Sequence, residues 1–346
     1  MTGRRRVTPH GLAAALRLRE TGIVIALAAV CVFFSIRATN FLTLDNWQDI
    51  AKEVAIVVAV GVGETMVVLT RNIDLSVGSM VGLTAYLTAD TLAQHNGAPL
   101  ALIALLAVGV GIGLGLVNGL LVAVARIPAI IATLATLAIY RGIAFEVTGG
   151  QRIAAFQLPD RFLELAASKP AGLPTLAWIA LGVALAGGVA LRLAPWGRDL
   201  YAIGSNPEAA RLAGIPARRR VIAAFVVSGA LSGLGGFMWA ARFPTVDAVA
   251  ATDFELAVIT AVVIGGVNVF GGSGTVLGAV LGAVLVATIA NGFTLLRLSE
   301  FWKIFFNGLA IVVAVTIDAL VTQRLQEALR RRRAEVLAAR HQEAEA

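Results

Sequence analysis

Apolar runs of about 20 residues recur along this chain, as in "PLALIALLAVGVGIGLGLVNGLLVAVA" (99–125) and "PTLAWIALGVALAGGVALRL" (174–193). At 1.5 Å per residue a helix of this length crosses about 30 Å of hydrocarbon. A β-barrel would instead need alternating segments of about ten residues, and that pattern is not found. Composition agrees, because 58% of the 346 residues are hydrophobic and 14% charged. Globular domains sit near 45–50% and about 25%. The chain is read as an all-α polytopic membrane protein.

Ten spans are expected, at 21–36, 54–70, 78–93, 99–125, 128–148, 174–193, 221–241, 255–270, 275–296 and 302–321. The chain then divides into a basic segment 1–20, a membrane domain 21–321 with a polar loop at 194–220, and a basic tail 322–346. The opening residues "MTGRRRVTPHGLAAALRLRE" are basic like a signal peptide. No small-residue cleavage site follows, so 21–36 is read as a retained span. Most of the arginines fall on one side of this topology: Arg4 to Arg6, Arg17, Arg19, Arg71, Arg126, Arg192, Arg198, Arg211, Arg218 to Arg220 and those of the tail. By the positive-inside rule that side, with both termini, faces the cytoplasm of a bacterial cell. The same clustering at helix ends explains the formal charge of +7 without nucleic acid. The one cysteine, Cys31, gives no disulfide framework. His10, His95 and His341 are far apart and form no metal-ligand spacing, so no metal is expected.

Two stretches set glycine beside polar residues where a span should be apolar, "TRNIDLSVGS" (70–79) and "GGVNVFGGSG" (265–274). They align without gaps, Asp74 opposite Asn268 and Ser79 opposite Ser273. Asn118-Gly119 and Asn291-Gly292 recur in two other spans. Both features suggest a duplicated unit.

The loop 194–220 contains "GSNPEAARLAGIPARRR". Asn206 is a favoured N-cap, Pro207 fits the first helical position and Glu208 faces the positive end of the helix dipole. Gly214 ends the helix and Pro216 prevents its continuation. This predicts a helix of about two turns, roughly 10 Å long, which is marginal alone in water. Ala209, Leu212 and Ala213 form a narrow apolar stripe, and Glu208 can pair with Arg211. Read from its residues, the segment is either a capped linker lying on its own membrane domain or a docking element for a soluble partner. Arg218, Arg219 and Arg220 would hold its base at the membrane face.

"RDLYAIGSNPEAARLAGIPARRRVIAAFVVSGALSGLGG" closely resembles the coupling segment of permease subunits in ribose-type sugar ABC importers, within the branched-chain/ribose permease superfamily. "LTRNIDLSVGS", "NGLLVA", "IPAIIATLATLAIYRGIA" and "VIGGVNVFGGSGTVLGAVLGA" resemble other stretches of that family in the same order, from about Phe41 to Val315. "TRNID", "FGGSG" and "SEFWKIFFNGLAIVVAV" look most like the rhamnose and autoinducer-2 permeases. The resemblance implies a type II ABC importer-like fold and a permease dimer, made with a second copy or a paralogue. It also implies ATPase subunits on the cytoplasmic side and an extracytoplasmic sugar-binding protein. Asn206, Pro207, Glu208, Ala209, Ala210, Arg211, Leu212 and Gly214 would form the coupling helix seated in the ATPase. The chain has no GxxxxGK[ST], so ATP-Mg is expected on the partner subunits, and no catalytic residues are expected here.

Ionisable groups within spans are functional candidates because lipid burial is costly. Glu64 could face a pathway or be paired inside the bundle, and Asp74 could cap the following span. Arg141 could pair with Glu146, although a five-residue separation is poor for a helical pair, or face the cavity or the dimer partner. Asn118, Asn268 and Asn291 suit sugar hydroxyls, and equally suit interhelical hydrogen bonds. Phe270 and Phe293 could stack on a sugar. Glu64, Asn118, Arg141, Asn268, Phe270, Asn291 and Phe293 are the candidate pathway. Lys303 and Arg297 would anchor a helix end, and the basic tail could touch membrane lipid. The competing readings are a stand-alone secondary transporter using Glu64 and Asp74 for ion coupling, and a non-transporting scaffold.

Overall fold

The computed structural model describes residues 10–243, 245–299 and 301–316, with 10–20 as backbone alone. α1 (His10–Arg37), α2 (Leu44–Leu69), α3 (Val77–Gln94), α4 (Leu100–Ala123) and α5 (Ala129–Thr148) come first. The short α6 (Asp160–Ala167) leads to α7 (Thr175–Leu193), α8 (Pro195–Ser205), α9 (Pro207–Leu212) and α10 (Ala217–Arg242). α11 (Phe254–Ile264), α12 (Val276–Leu295) and α13 (Phe301–Thr316) complete the described chain. Each predicted span overlaps one helix, and α4, α5, α7, α10 and α12 are long and apolar enough to cross a membrane.

α2 is the axis of the bundle. Every residue from Ala55 to Leu69 is buried, with α7, α10, α11 and α12 packed around them. A helix apolar on all sides needs such surroundings. α4 and α10 approach closely because glycines face each other: Gly111 and Gly115 meet Gly229, and Gly233 meets Ala107. Small residues of this kind let backbones touch where lipid supplies no hydrophobic drive. Leu105, Ile131 and Leu185 on the outer faces of α4, α5 and α7 are exposed, as side chains facing lipid are. At one end of the bundle β1 (Ile153–Ala154) pairs antiparallel with β2 (Thr245–Val246), Ile153 opposite Val246. α6 docks nearby through Phe162, whose ring lies 5.3 Å from that of Phe237.

Four features of the helices depart from the expected spans or add to them. α1 extends back to His10, beyond the expected span 21–36, so the helix includes part of the basic segment. The span expected at 255–270 is helical only to Ile264, and α11 has 11 residues, about 16 Å, half the hydrocarbon thickness. It stops there because Gly266, two residues on, has φ 83°, which a right-handed helix cannot contain. The loop 194–220 holds two helices, α8 and α9, where one was expected, and α6 was not foreseen. Residues 1–9, the end of the last span (317–321) and the tail 322–346 lie outside the described residues.

Candidate functional site

The segment 194–220 forms a bracket of two helices. Asn206 joins them: its backbone N–H donates to Ala202 O at 3.1 Å, closing α8, while its side-chain oxygen accepts from Ala209 N at 3.1 Å, opening α9. The C-terminal end of α9 is also closed. Gly214, at φ 75°, donates to Arg211 O (3.0 Å) and Ile215 donates to Ala210 O (3.0 Å), the pair of bonds that makes a Schellman cap. Glu208 and Arg211 pair at 2.9 Å in the open, where such a pair adds only a few tenths of a kcal/mol. Ala210 is buried against the bundle, whereas Ala209, Leu212 and Ala213 point outward and Leu212 is 83% exposed.

α8 carries the bracket on the bundle. Leu200 and Ile203 are buried beneath it. The Tyr201 hydroxyl donates to Gly274 O at 3.0 Å, and Arg220 Nε meets Asp199 Oδ2 at 2.7 Å. Burial pushes the Tyr201 hydroxyl above its ordinary pKa. The guanidinium of Arg71 donates from Nε to Gly204 O and from Nη2 to Ser205 O (3.1 Å). Ser205 Oγ donates to Gly272 O (3.3 Å), and Gly272 N donates to Leu69 O (3.0 Å). Gly204 has no space for a Cβ, since Leu69 O and the Gly272 backbone lie against it. The end of α8 therefore rests in a seat formed by two turns, the polar 70–76 and the glycine-rich 265–274.

Those turns share a local geometry. Asp74 Oδ1 accepts from Ser76 N at 3.0 Å, and Asn268 Oδ1 accepts from Phe270 N at 2.7 Å. Both are turns in which a short polar side chain closes on the amide two residues ahead, at the positions the sequence aligns. The first turn goes further into the bundle. Asp74 Oδ1 also accepts from Ser76 Oγ (2.6 Å) and from Asn118 Nδ2 (3.2 Å), and Asn118 donates in turn to Ser76 Oγ (2.8 Å). Tyr140 OH donates to Leu114 O at 2.9 Å and lies 3.4 Å from Asn118 Oδ1. Glu64 Oε1 accepts from Asp74 N at 3.0 Å, while Oε2 has no hydrogen-bond partner among the described residues. Glu64, Asp74, Ser76 and Asn118 are all fully buried.

The candidate pathway residues do not converge. Glu64 and Asn118 meet around Asp74, and Asn268 with Phe270 forms the second turn. Arg141 does not pair with Glu146. Its Nη1 donates to Ala248 O (2.9 Å) and Ala250 O (2.7 Å), holding the loop that follows β2. Asn291 Nδ2 donates to Asn46 Oδ1 at 2.9 Å, and the Phe293 ring packs 4.9 Å from Phe306 and 6.1 Å from Phe34. Sequence reasoning used Arg71 only for orientation and overlooked Ser76, Tyr140, Asp199 and Tyr201. Only Arg71 carried a signal, as a cation interrupting a polar turn at the end of an apolar run.

Residues 46–315 match the family described as branched-chain amino acid transport system / permease component, and the chain belongs to that family. It is a multi-pass membrane permease. Over 315 residues, 91% of this chain and 90% of the relative, it is 36% identical to the autoinducer 2 import system permease protein LsrC of Salmonella typhi. The LsrC protein of Klebsiella pneumoniae is 37% identical over 310 residues, 90% of this chain and 89% of the relative. The ribose import permease protein RbsC of Escherichia coli K12 is 34% identical over 303 residues, 87% and 94% of the two chains. No solved structure matches the chain.

Proposed function

We propose that this chain is the membrane-spanning subunit of an ATP-driven importer that moves a small sugar or sugar-like molecule across the bacterial inner membrane. Two permease subunits form the pathway, ATP-binding subunits dock on the cytoplasmic side, and an extracytoplasmic binding protein delivers the cargo. The relatives are named for autoinducer 2 and ribose import, and this supports a cargo of that chemistry. Autoinducer 2 comes first, and rhamnose gains no support from those names.

The observation that carries this reading is the outward face of α9. A helix of six residues is unstable alone in water, yet this one is capped at both ends and mounted on a seat while Ala209, Leu212 and Ala213 cover nothing in the bundle. Filling a partner's groove with Leu212 would contribute about 1.5–3 kcal/mol. Leu212→Asp is therefore expected to abolish co-purification of the ATP-binding subunits and to lower uptake more than tenfold. The permease itself should melt at an unchanged temperature. Retained co-purification and uptake would end the docking reading.

The rival, an ion-coupled carrier working alone, would use Glu64 and Asp74. Asp74 is occupied by Ser76 and Asn118, which argues against a free ion site there. Uptake driven by an ion gradient in vesicles holding this chain alone would decide for the rival.

A further inference from the structure

Arg71 stands where the docking bracket, the end of α2 and both turns of the seat meet. Its backbone has φ 67°, a left-handed conformation that residues with a Cβ rarely adopt. The conformation aims the side chain across the seat. Nε and Nη2 then grip Gly204 O and Ser205 O, at the end of α8. Carbonyls at a helix C-terminus lack intrahelical partners and carry the negative end of the dipole, so a planar cationic fork fits them. Gly271 leaves the room its stem needs, since a Cβ there would lie 2.5 Å from Arg71 Cγ. On the other side the Arg71 amide donates to Val68 O at 2.9 Å. Three residues on, Asp74 is bonded to Glu64 of α2 and to Asn118 of α4. Hydrogen bonds and the short backbone between them thus link α9, through the end of α8 and Arg71, to the helices of the bundle.

We propose that Arg71 is the strut by which displacement of α9 reaches the helix bundle, a positioning residue without which ATP hydrolysis and cargo movement separate. The proposal rests on the docking reading of α9. Lysine would keep the charge but offer a compact ammonium on a flexible stem instead of a rigid fork. It could not hold both carbonyls in register.

The test uses the full complex, permease with its ATP-binding subunits and binding protein, in proteoliposomes. Wild type, Arg71→Lys and Arg71→Ala are compared for subunit co-purification, ATP hydrolysis and uptake. Co-purification is expected to stay within twofold of wild type, while ATP hydrolysed per molecule imported rises at least tenfold. An unchanged ratio would overturn the proposal, including the case where uptake and hydrolysis fall together. Loss of co-purification would overturn it as well, by making Arg71 part of the dock. If Arg71→Ala fails to fold, Arg71→Lys carries the test. Leu212→Asp in the same assay separates the two ideas. Should it still assemble and transport, the docking reading fails. Should it fail to assemble while Arg71→Lys keeps its ratio, only the strut does.

Discussion

Asp74 and Asn268 occupy aligned positions, make the same turn, and differ by one atom type. The difference follows from their neighbours. Asp74 must accept from three donors, Ser76 N, Ser76 Oγ and Asn118 Nδ2, and a carboxylate offers only acceptors. Asn268 closes its turn with one side-chain acceptor bond, from Phe270 N. Removing the Asp74 carboxyl would strand buried donors at about 1–3 kcal/mol each. Asp74→Ala is therefore expected to lower the melting temperature of the purified permease by several degrees and to reduce its yield. Asp74→Asn, which keeps an oxygen for Ser76 N, should lose less than half as much. Equal losses in a thermal-shift assay would mean that the hydrogen bonds of this turn do not hold it. This cluster was only half legible in advance. Glu64, Asp74 and Asn118 each stood out as polar residues in apolar sequence, but a polar group bonded to a neighbouring helix and one facing a substrate read identically along a chain.

At the level of elements, a run of apolar residues is enough to announce a helix, and each run does coincide with one. Helix ends were legible where a capping residue stands alone in a polar loop, as at Asn206 and Gly214, and were missed where glycines fall inside an expected span. α11 ends at Ile264, although Val267, Val269 and Phe270 made the span look longer, because Gly266 enters positive φ. α6 was missed because eight residues with two buried positions, Phe162 and Ala166, make too faint a pattern. The contact of α4 with α10 gives the sharpest element-scale expectation. At Gly229 a Cβ would collide with the backbone of Gly111 and Gly115, whereas at Gly113 it would meet nothing within 4 Å. Gly229→Val should push the helices apart at a cost of about 1–3 kcal/mol or more. Gly113→Ala should be neutral or slightly stabilising, since alanine favours helix over glycine by about 1 kcal/mol. Unfolding temperatures of the two variants in one detergent check this, and similar values would remove close packing as the reason for the glycines.

Across the whole molecule, residues 70–76 and 265–274 are far apart in sequence yet make one seat, and α8 rests on both. Alignment could pair the two turns but could not reveal what lies between them, because that depends on how α2 and α12 pack. Orientation follows from the same arrangement. Arg71, Arg126, Arg192, Arg198, Arg211 and Arg218 to Arg220 belong to the seat end or to the bracket on it. At the other end Lys52 and Arg242 both lie against Asp49. Lysine and arginine near spans are retained on the cytoplasmic side, so the seat and α9 should face inward and the β1–β2 pair outward. In a Cys31→Ser background, single cysteines at Gln151, beside β1, and at Arg211, on α9, report the two faces, and both positions are exposed. A membrane-impermeant maleimide added to intact cells should label Gln151→Cys at once and Arg211→Cys only after permeabilisation. The reverse pattern would place α9 outside the cell, where no ATP-binding subunit could reach Leu212.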